Sequence, residues 1–179
     1  MAAGKGAVLA VLMAGCLAAG KTPEPPTPVT RPCDVQAYVI DKDPKGLNVR
    51  SEPNAKSKIL GALPPLTDIT IVGVQGGWLR IGSAESENAN TGEMAQGLPQ
   101  SGWISRRLVG TDTRNYGEVS EYFLHEAPDK KSKVITDPRA ATLPIVDCDG
   151  EWVKVEAKEG KAGWLERQGQ CANWRTNCS

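Results

Sequence analysis

Short alternating apolar runs recur along this chain, broken by clusters of Gly, Pro, Asn and Asp. Residues Leu47 to Leu60 can be laid over Tyr122 to Ile135 without a gap. Each segment holds an alternating run, a proline followed by Asn or Asp (Pro53-Asn54, Pro128-Asp129), a basic turn and a β-branched restart, which predicts strand, polar loop, strand. Downstream, Ile69-Thr70-Ile71-Val72 leads through Gly76-Gly77 to Trp78-Leu79-Arg80-Ile81, and Leu143-Pro144-Ile145-Val146 leads through Asp149-Gly150 to Trp152-Val153-Lys154-Val155. Each of these predicts a β-hairpin. A last short strand follows in each copy, Gly102-Trp103-Ile104-Ser105 and Gly163-Trp164-Leu165-Glu166. About five short strands per copy with no helical period predict an all-β chain of two small barrels in tandem.

The first residues have a different pattern. Lys5 precedes an apolar run from Ala7 to Met13 that ends in Ala14-Gly15, the layout of a secretory signal peptide and too short for a spanning helix. Met13-Ala14-Gly15-Cys16 resembles the lipobox of bacterial lipoproteins, which implies that Cys16 is diacylated and becomes the new N-terminus. The alternative is an ordinary leader cut near Ala18-Ala19. From Thr22 to Pro32 the repeated prolines favour an extended tether. From Cys16 to Cys33 it would reach about 50 Å at about 3.1 Å per residue. The expected domains are therefore a signal peptide over 1–15, a lipidated tether over 16–33, a first barrel over 34–112 with a long polar loop over 82–101, and a second, diverged barrel over 113–179.

Leu47-Asn48-Val49-Arg50-Ser51-Glu52-Pro53, then Gly77-Trp78-Leu79-Arg80-Ile81, then Gly102-Trp103-Ile104-Ser105, resembles the bacterial Src-homology-3 domain. The second copy keeps Pro128, Trp152 and Gly163-Trp164 but has Phe123-Leu124-His125 in place of Asn-Val-Arg. The resemblance implies two Src-homology-3-like barrels that bind cell-wall peptides or protein partners.

Charge singles out no ligand. The chain carries 21 basic and 21 acidic side chains and no basic stripe, which argues against nucleic acid. Five cysteines are an odd number, but setting Cys16 aside as the lipid anchor leaves Cys33, Cys148, Cys171 and Cys178. Four thiols in an exported chain predict two disulfides. Three pairings are open. The favoured one joins Cys171 to Cys178, pinning Trp174 against the second barrel, and Cys33 to Cys148. With no Cys-x-x-Cys pair and one histidine, His125, neither a metal nor another cofactor is expected.

Catalysis is not expected either. Cysteine or serine nucleophiles would both depend on His125, and two small barrels leave few residues to build a cleft for a carboxylate pair. Trp103 and Trp164 are expected to fill the barrel cores. Trp78 and Trp152, beside their Gly turns, are candidates for an exposed groove, with Arg50 and Glu52 at the end of the signature strand. The expected function is a non-enzymatic binding module of the cell envelope that recognises peptidoglycan peptides or an envelope protein. It would touch membrane through its lipid anchor alone, and Leu17 after the cysteine points to the outer membrane in a Gram-negative source. The alternatives are a structural or assembly lipoprotein with no open groove, and an inhibitor or accessory subunit of an envelope enzyme.

Overall fold

The computed structural model describes residues 30–88, 90–114, 122–136, 138, 142–157, 160–176 and 178, together with Met1. Residues 2–29, which carry the expected signal peptide, Cys16 and most of the expected tether, lie outside the described residues. The first barrel is built from β1 (Arg31–Val39), β2 (Leu47–Arg50), β3 (Ile59–Leu63), β4 (Asp68–Gln75), β5 (Trp78–Glu85), β6 (Gly102–Ser105) and β7 (Val109–Thr113). The second adds β8 (Leu124–His125), β9 (Val134–Thr136), β10 (Leu143–Asp149), β11 (Trp152–Glu156), β12 (Ala162–Leu165) and β13 (Gln170–Cys171). A 3-10 turn precedes β7 and another precedes β13.

Alternation decides which side chains face inward. Val35, Val39, Val49, Leu63, Ile71, Leu79, Ile81 and Ile104 fill the first core, and Leu124, Ile145, Val153, Val155 and Leu165 fill the second. Each such burial contributes about 1.5–3 kcal/mol. Both central hairpins close in two residues, Gly76-Gly77 between β4 and β5 and Gly150-Glu151 between β10 and β11. Right-handed strand twist demands mirror-image turns there, so the first loop position needs a positive φ. Gly76 supplies +54° and Gly150 supplies +53°.

The two barrels repeat one pairing scheme. In the first, β1 pairs with β4, β4 with β5, β5 with β6, β6 with β2 and β2 with β3. In the second, β7 pairs with β10, β10 with β11, β11 with β12, β12 with β8 and β8 with β9. Strand β7 therefore has two roles. It closes the first barrel against β1 through Val39↔Val109 and Tyr38↔Gly110, and it opens the second against β10 and β13. All five of its residues are buried, including Thr111, Asp112 and Thr113. A boundary at 112/113 would cut through this shared strand.

Two further boundaries differ from expectation. Arg31, Pro32 and Cys33, placed in the expected tether, already belong to β1. Pro32 is tolerated at the start of a strand, and its carbonyl accepts from the Gly150 N–H at 3.1 Å. Strand β5 runs on to Glu85, so the long loop begins at residue 86. That loop is also less free than its polar composition suggests. The Gln100 amide exchanges two hydrogen bonds with the Ala84 backbone, at 3.1 and 2.9 Å, and Leu98 packs against the core.

Disulfides join Cys33 to Cys148 and Cys171 to Cys178. The first links β1 to β10, beside a hydrogen bond from Arg31 Nε to the Cys148 carbonyl at 2.8 Å and an Arg31–Asp147 ion pair. Arg106 adds another tie between the barrels by donating to the Val146 carbonyl at 2.6 Å.

Candidate functional site

The shared pairing scheme produces the same row of side chains on the outer face of each barrel. In the first barrel, Arg50 lies opposite Trp103 and Trp103 opposite Arg80. In the second, His125 lies opposite Trp164 and Trp164 opposite Lys154. Trp78 and Trp152 begin the central strand of each face, two residues before Arg80 and Lys154. The expectation that Trp103 fills a core is therefore corrected. Ile104, fully buried, takes the inward position, and alternation turns Trp103 out to a half-buried one. Trp164 is buried at 8 % exposure, but on the outer face, where Lys154 Nζ lies 5.8 Å from its ring centre.

Arg50 and His125 have the same local task. The polar loop after β2 folds on itself through Ser57, whose hydroxyl donates to the Glu52 and Asn54 carbonyls at 3.0 Å each, while Asn54 Oδ1 accepts from Lys56 N–H at 3.0 Å. In the second barrel Ser132 and Asp129 repeat this arrangement, with a hydroxyl bond to the Ala127 carbonyl at 3.0 Å and a Lys131 N–H bond at 2.9 Å. Arg50 Nη1 donates to the Ser57 carbonyl at 2.9 Å, and His125 Nδ1 sits 3.2 Å from the Ser132 carbonyl. Arg50 is thus tied to its own loop instead of to Glu52, whose carboxylate accepts from Asn54 Nδ2 at 3.3 Å. His125 is buried. Its ring meets that of Trp152 edge to face with centres 5.7 Å apart.

The equivalent faces differ in what covers them. On the second barrel, Lys130 reaches from the polar loop to pair with Glu166, just beyond Trp164. The corresponding first-barrel positions are Ala55 and Ser105, which cannot make that ion pair. Arg80 is exposed beside half-buried Trp103 and Trp78, with no partner among the described residues. Arg80 and Trp103 belong to this face, and sequence reasoning passed over both in favour of Arg50. The alternation of Trp78-Leu79-Arg80-Ile81 carried the signal, since it places Arg80 on the same side as Trp78.

A concavity lies where the barrels meet. It is a groove of about 490 Å³ between the end of β1, Pro65-Leu66, β7 and the Cys-bounded tail. On its floor, Asp112 Oδ1 accepts from the Tyr38 hydroxyl at 2.6 Å and from the Thr142 N–H at 2.5 Å. Burial and the adjacent Asp112 carboxylate raise the Tyr38 pKa, so the hydroxyl keeps its proton. The tail places Trp174 on the groove wall. Arg175 stacks over that indole at 4.3 Å and reaches Asp68 at 3.5 Å and Glu87 at 3.1 Å. Even with Arg175 beside it, burial wins at Asp68 and raises the carboxyl pKa.

Residues 45–110 match the family model described as a bacterial SH3 domain, and residues 118–168 match a second model with the same description. The first match ends inside β7 and the second begins after it, so the dual role of that strand is visible in neither. No curated protein matches the chain. Among solved structures it is similar to NlpC1 and NlpC2 of Trichomonas vaginalis, each at 13 % identity and a TM-score of 0.30. These alignments cover 90 % and 84 % of this chain, and it spans about half of the other chains, 51 % and 50 %.

Proposed function

As a member of the bacterial SH3 family, with two such domains in tandem, this chain is in our reading a binding module of the cell envelope, and we propose that it recognises peptidoglycan peptides or an envelope protein without catalysing a reaction. The observation that carries this reading is the asymmetry between the two outer faces. An exposed cation beside two half-buried indoles, Arg80 with Trp103 and Trp78, offers flat apolar area, donors and an orienting charge to an extended polar ligand. The disulfides suit an oxidising compartment outside the cytoplasm. An acylated Cys16 would hold the barrels at a membrane, the outer membrane in a Gram-negative source, with the Pro-rich segment as spacer. Acyl labelling of the wild type and of Cys16→Ser tests the anchor, which is wrong if the wild type is unacylated and fractionates as soluble.

A second reading, an assembly protein without an open groove, draws on the shared strand β7 and on the Lys130–Glu166 ion pair on the second barrel. Sedimentation of the full chain with purified cell-wall sacculi, set beside a pull-down of envelope proteins, separates the two readings. Retention by sacculi or capture of a defined protein that depends on Arg80 and Trp103 supports the binding reading. Capture that ignores those residues supports the assembly reading.

A further inference from the structure

One cross-strand row spans the open face of the first barrel. Ile59 lies opposite Arg50, Arg50 opposite Trp103 and Trp103 opposite Arg80, so four side chains from β3, β2, β6 and β5 share one side of the sheet. Past Arg80 the row reaches Gly73, where the Thr30 methyl lies 3.0 Å from the place of a Cβ and bounds that end. The other end is the aliphatic side chain of Ile59, which is 49 % exposed. Between them stand two guanidinium groups and no carboxylate. Arg80 is exposed with no partner among the described residues. Arg50 spends Nη1 on the Ser57 carbonyl at 2.9 Å, and a guanidinium has five N–H donors, so donors remain for a ligand. Glu52, two residues beyond Arg50, is turned to Asn54 Nδ2 at 3.3 Å.

This row selects a ligand by charge and spacing. Neighbouring strands are about 4.8 Å apart, which sets Arg50 and Arg80 about 10 Å from each other across Trp103. An extended chain rises about 3.3 Å per residue, so acidic residues three positions apart match that interval, and the long rotatable stems of Glu and Arg bring both pairs together. The half-buried indole and exposed Ile59 take apolar side chains beside the acids. A cell-wall stem peptide fits less well. It offers mainly alanine-sized side chains and a diamino acid, whose ammonium group the two arginines repel. Resting on the reading that this face binds, we infer that its occupant is an extended acidic segment of a partner protein. One carboxylate pairs with Arg80 and a second with Arg50, an apolar side chain covers Trp103, and an aliphatic one lies against Ile59. The equivalent row of the second barrel, Val134, His125, Trp164 and Lys154, offers no such site. Its indole is 8 % exposed with the Lys154 ammonium over it, and His125 faces the Ser132 carbonyl.

The test uses the full chain labelled with ¹⁵N at tryptophan, whose five indole signals include Trp103, assigned with Trp103→Phe. The probes are N-acetyl-Leu-Glu-Ala-Ala-Glu-amide, its counterpart with both Glu replaced by Gln, and the peptides released from sacculi by amidase. The acidic probe should shift the Trp103 signal and bind about tenfold more tightly than the glutamine probe. Arg80→Gln, which breaks no contact among the described residues, should shrink that preference to about threefold or less, and Lys154→Gln should leave it unchanged. Equal binding of the two probes, or a preference that survives Arg80→Gln, overturns the inference. Stem peptides that shift Trp103 at lower concentration than the acidic probe overturn the assignment to a protein segment and leave the binding reading standing. If no probe shifts Trp103 at millimolar concentration, the inference falls. Retention by sacculi or protein capture that still depends on Arg80 then preserves the binding reading, and its absence removes both.

Discussion

The outer faces of the two barrels share strand order, loop conformation and the spacing of their aromatic residues, yet one is covered and the other open. In the second barrel Trp164 is buried with the Lys154 ammonium over its ring, Lys130 pairs with Glu166 just beyond it, and Trp152 meets His125 edge to face. In the first, Ala55 and Ser105 leave Trp103 half buried and Arg80 exposed. The same indole in the same register is thus buried on one barrel and half-exposed on the other. The second barrel is also the one that depends most on external support. It borrows β7 as its first strand, is tied to β1 by the Cys33–Cys148 bridge, and ends in a strap closed by Cys171–Cys178.

The largest effect should come from removing the tie between the barrels. Cys33 and Cys148 are 115 residues apart, and closing so long a loop restricts the unfolded chain by about 4–5 kcal/mol. Cys33→Ala with Cys148→Ala should lose stability on that scale in guanidinium titration. It should also split one unfolding transition into two, the second barrel melting first. A single, unshifted transition would show that β7 alone couples the barrels.

Next in size is the contrast between the equivalent tryptophans. Trp164→Ala should cost about 3–5 kcal/mol, as expected for a buried aromatic side chain, and Trp103→Ala about half of that. Equal losses in urea unfolding would remove the distinction between covered and open faces. Opening the Cys171–Cys178 strap should matter less, about 2 kcal/mol for a separation of only 7 residues. Its effect should appear as increased amide exchange along β13 and β7.

The smallest effect concerns Asp68. Its pKa is raised in the folded state, so the protonated form is favoured by folding and ionisation works against it. The associated stability is fully present below the ordinary carboxylate pKa and is lost as pH rises through the raised one. Asp68→Asn should therefore gain melting temperature relative to wild type as the pH goes from about 4 to 7. A difference that does not vary with pH, or that falls with rising pH, would show that the contact with Arg175 outweighs burial at this residue.

Period-two alternation made the strands legible in the sequence, and the two-residue Gly turns set their hairpins. It also carried the outer rows, because Trp103 and Arg80 alternate with Ile104 and Leu79. Residue type misled at Trp103, whose large apolar ring suggested a core role that aliphatic residues fill. The double use of β7 was hidden for another reason. Thr111, Asp112 and Thr113 look like linker residues, and their burial depends on partners far along the chain, including Tyr38 and Cys171. Arg50 looked like a ligand group, yet its partner is the carbonyl of Ser57, seven residues on, which composition does not reveal.

The most direct test compares sacculus or partner binding by two matched variants of the full chain, each first shown to be folded by its thermal transition. Arg80→Ala with Trp78→Ala should weaken binding at least about tenfold, or about 1.4 kcal/mol, while Lys154→Ala with Trp152→Ala should change it by less than about threefold. Loss of binding through the Lys154 and Trp152 pair, with the Arg80 and Trp78 pair intact, would contradict the account.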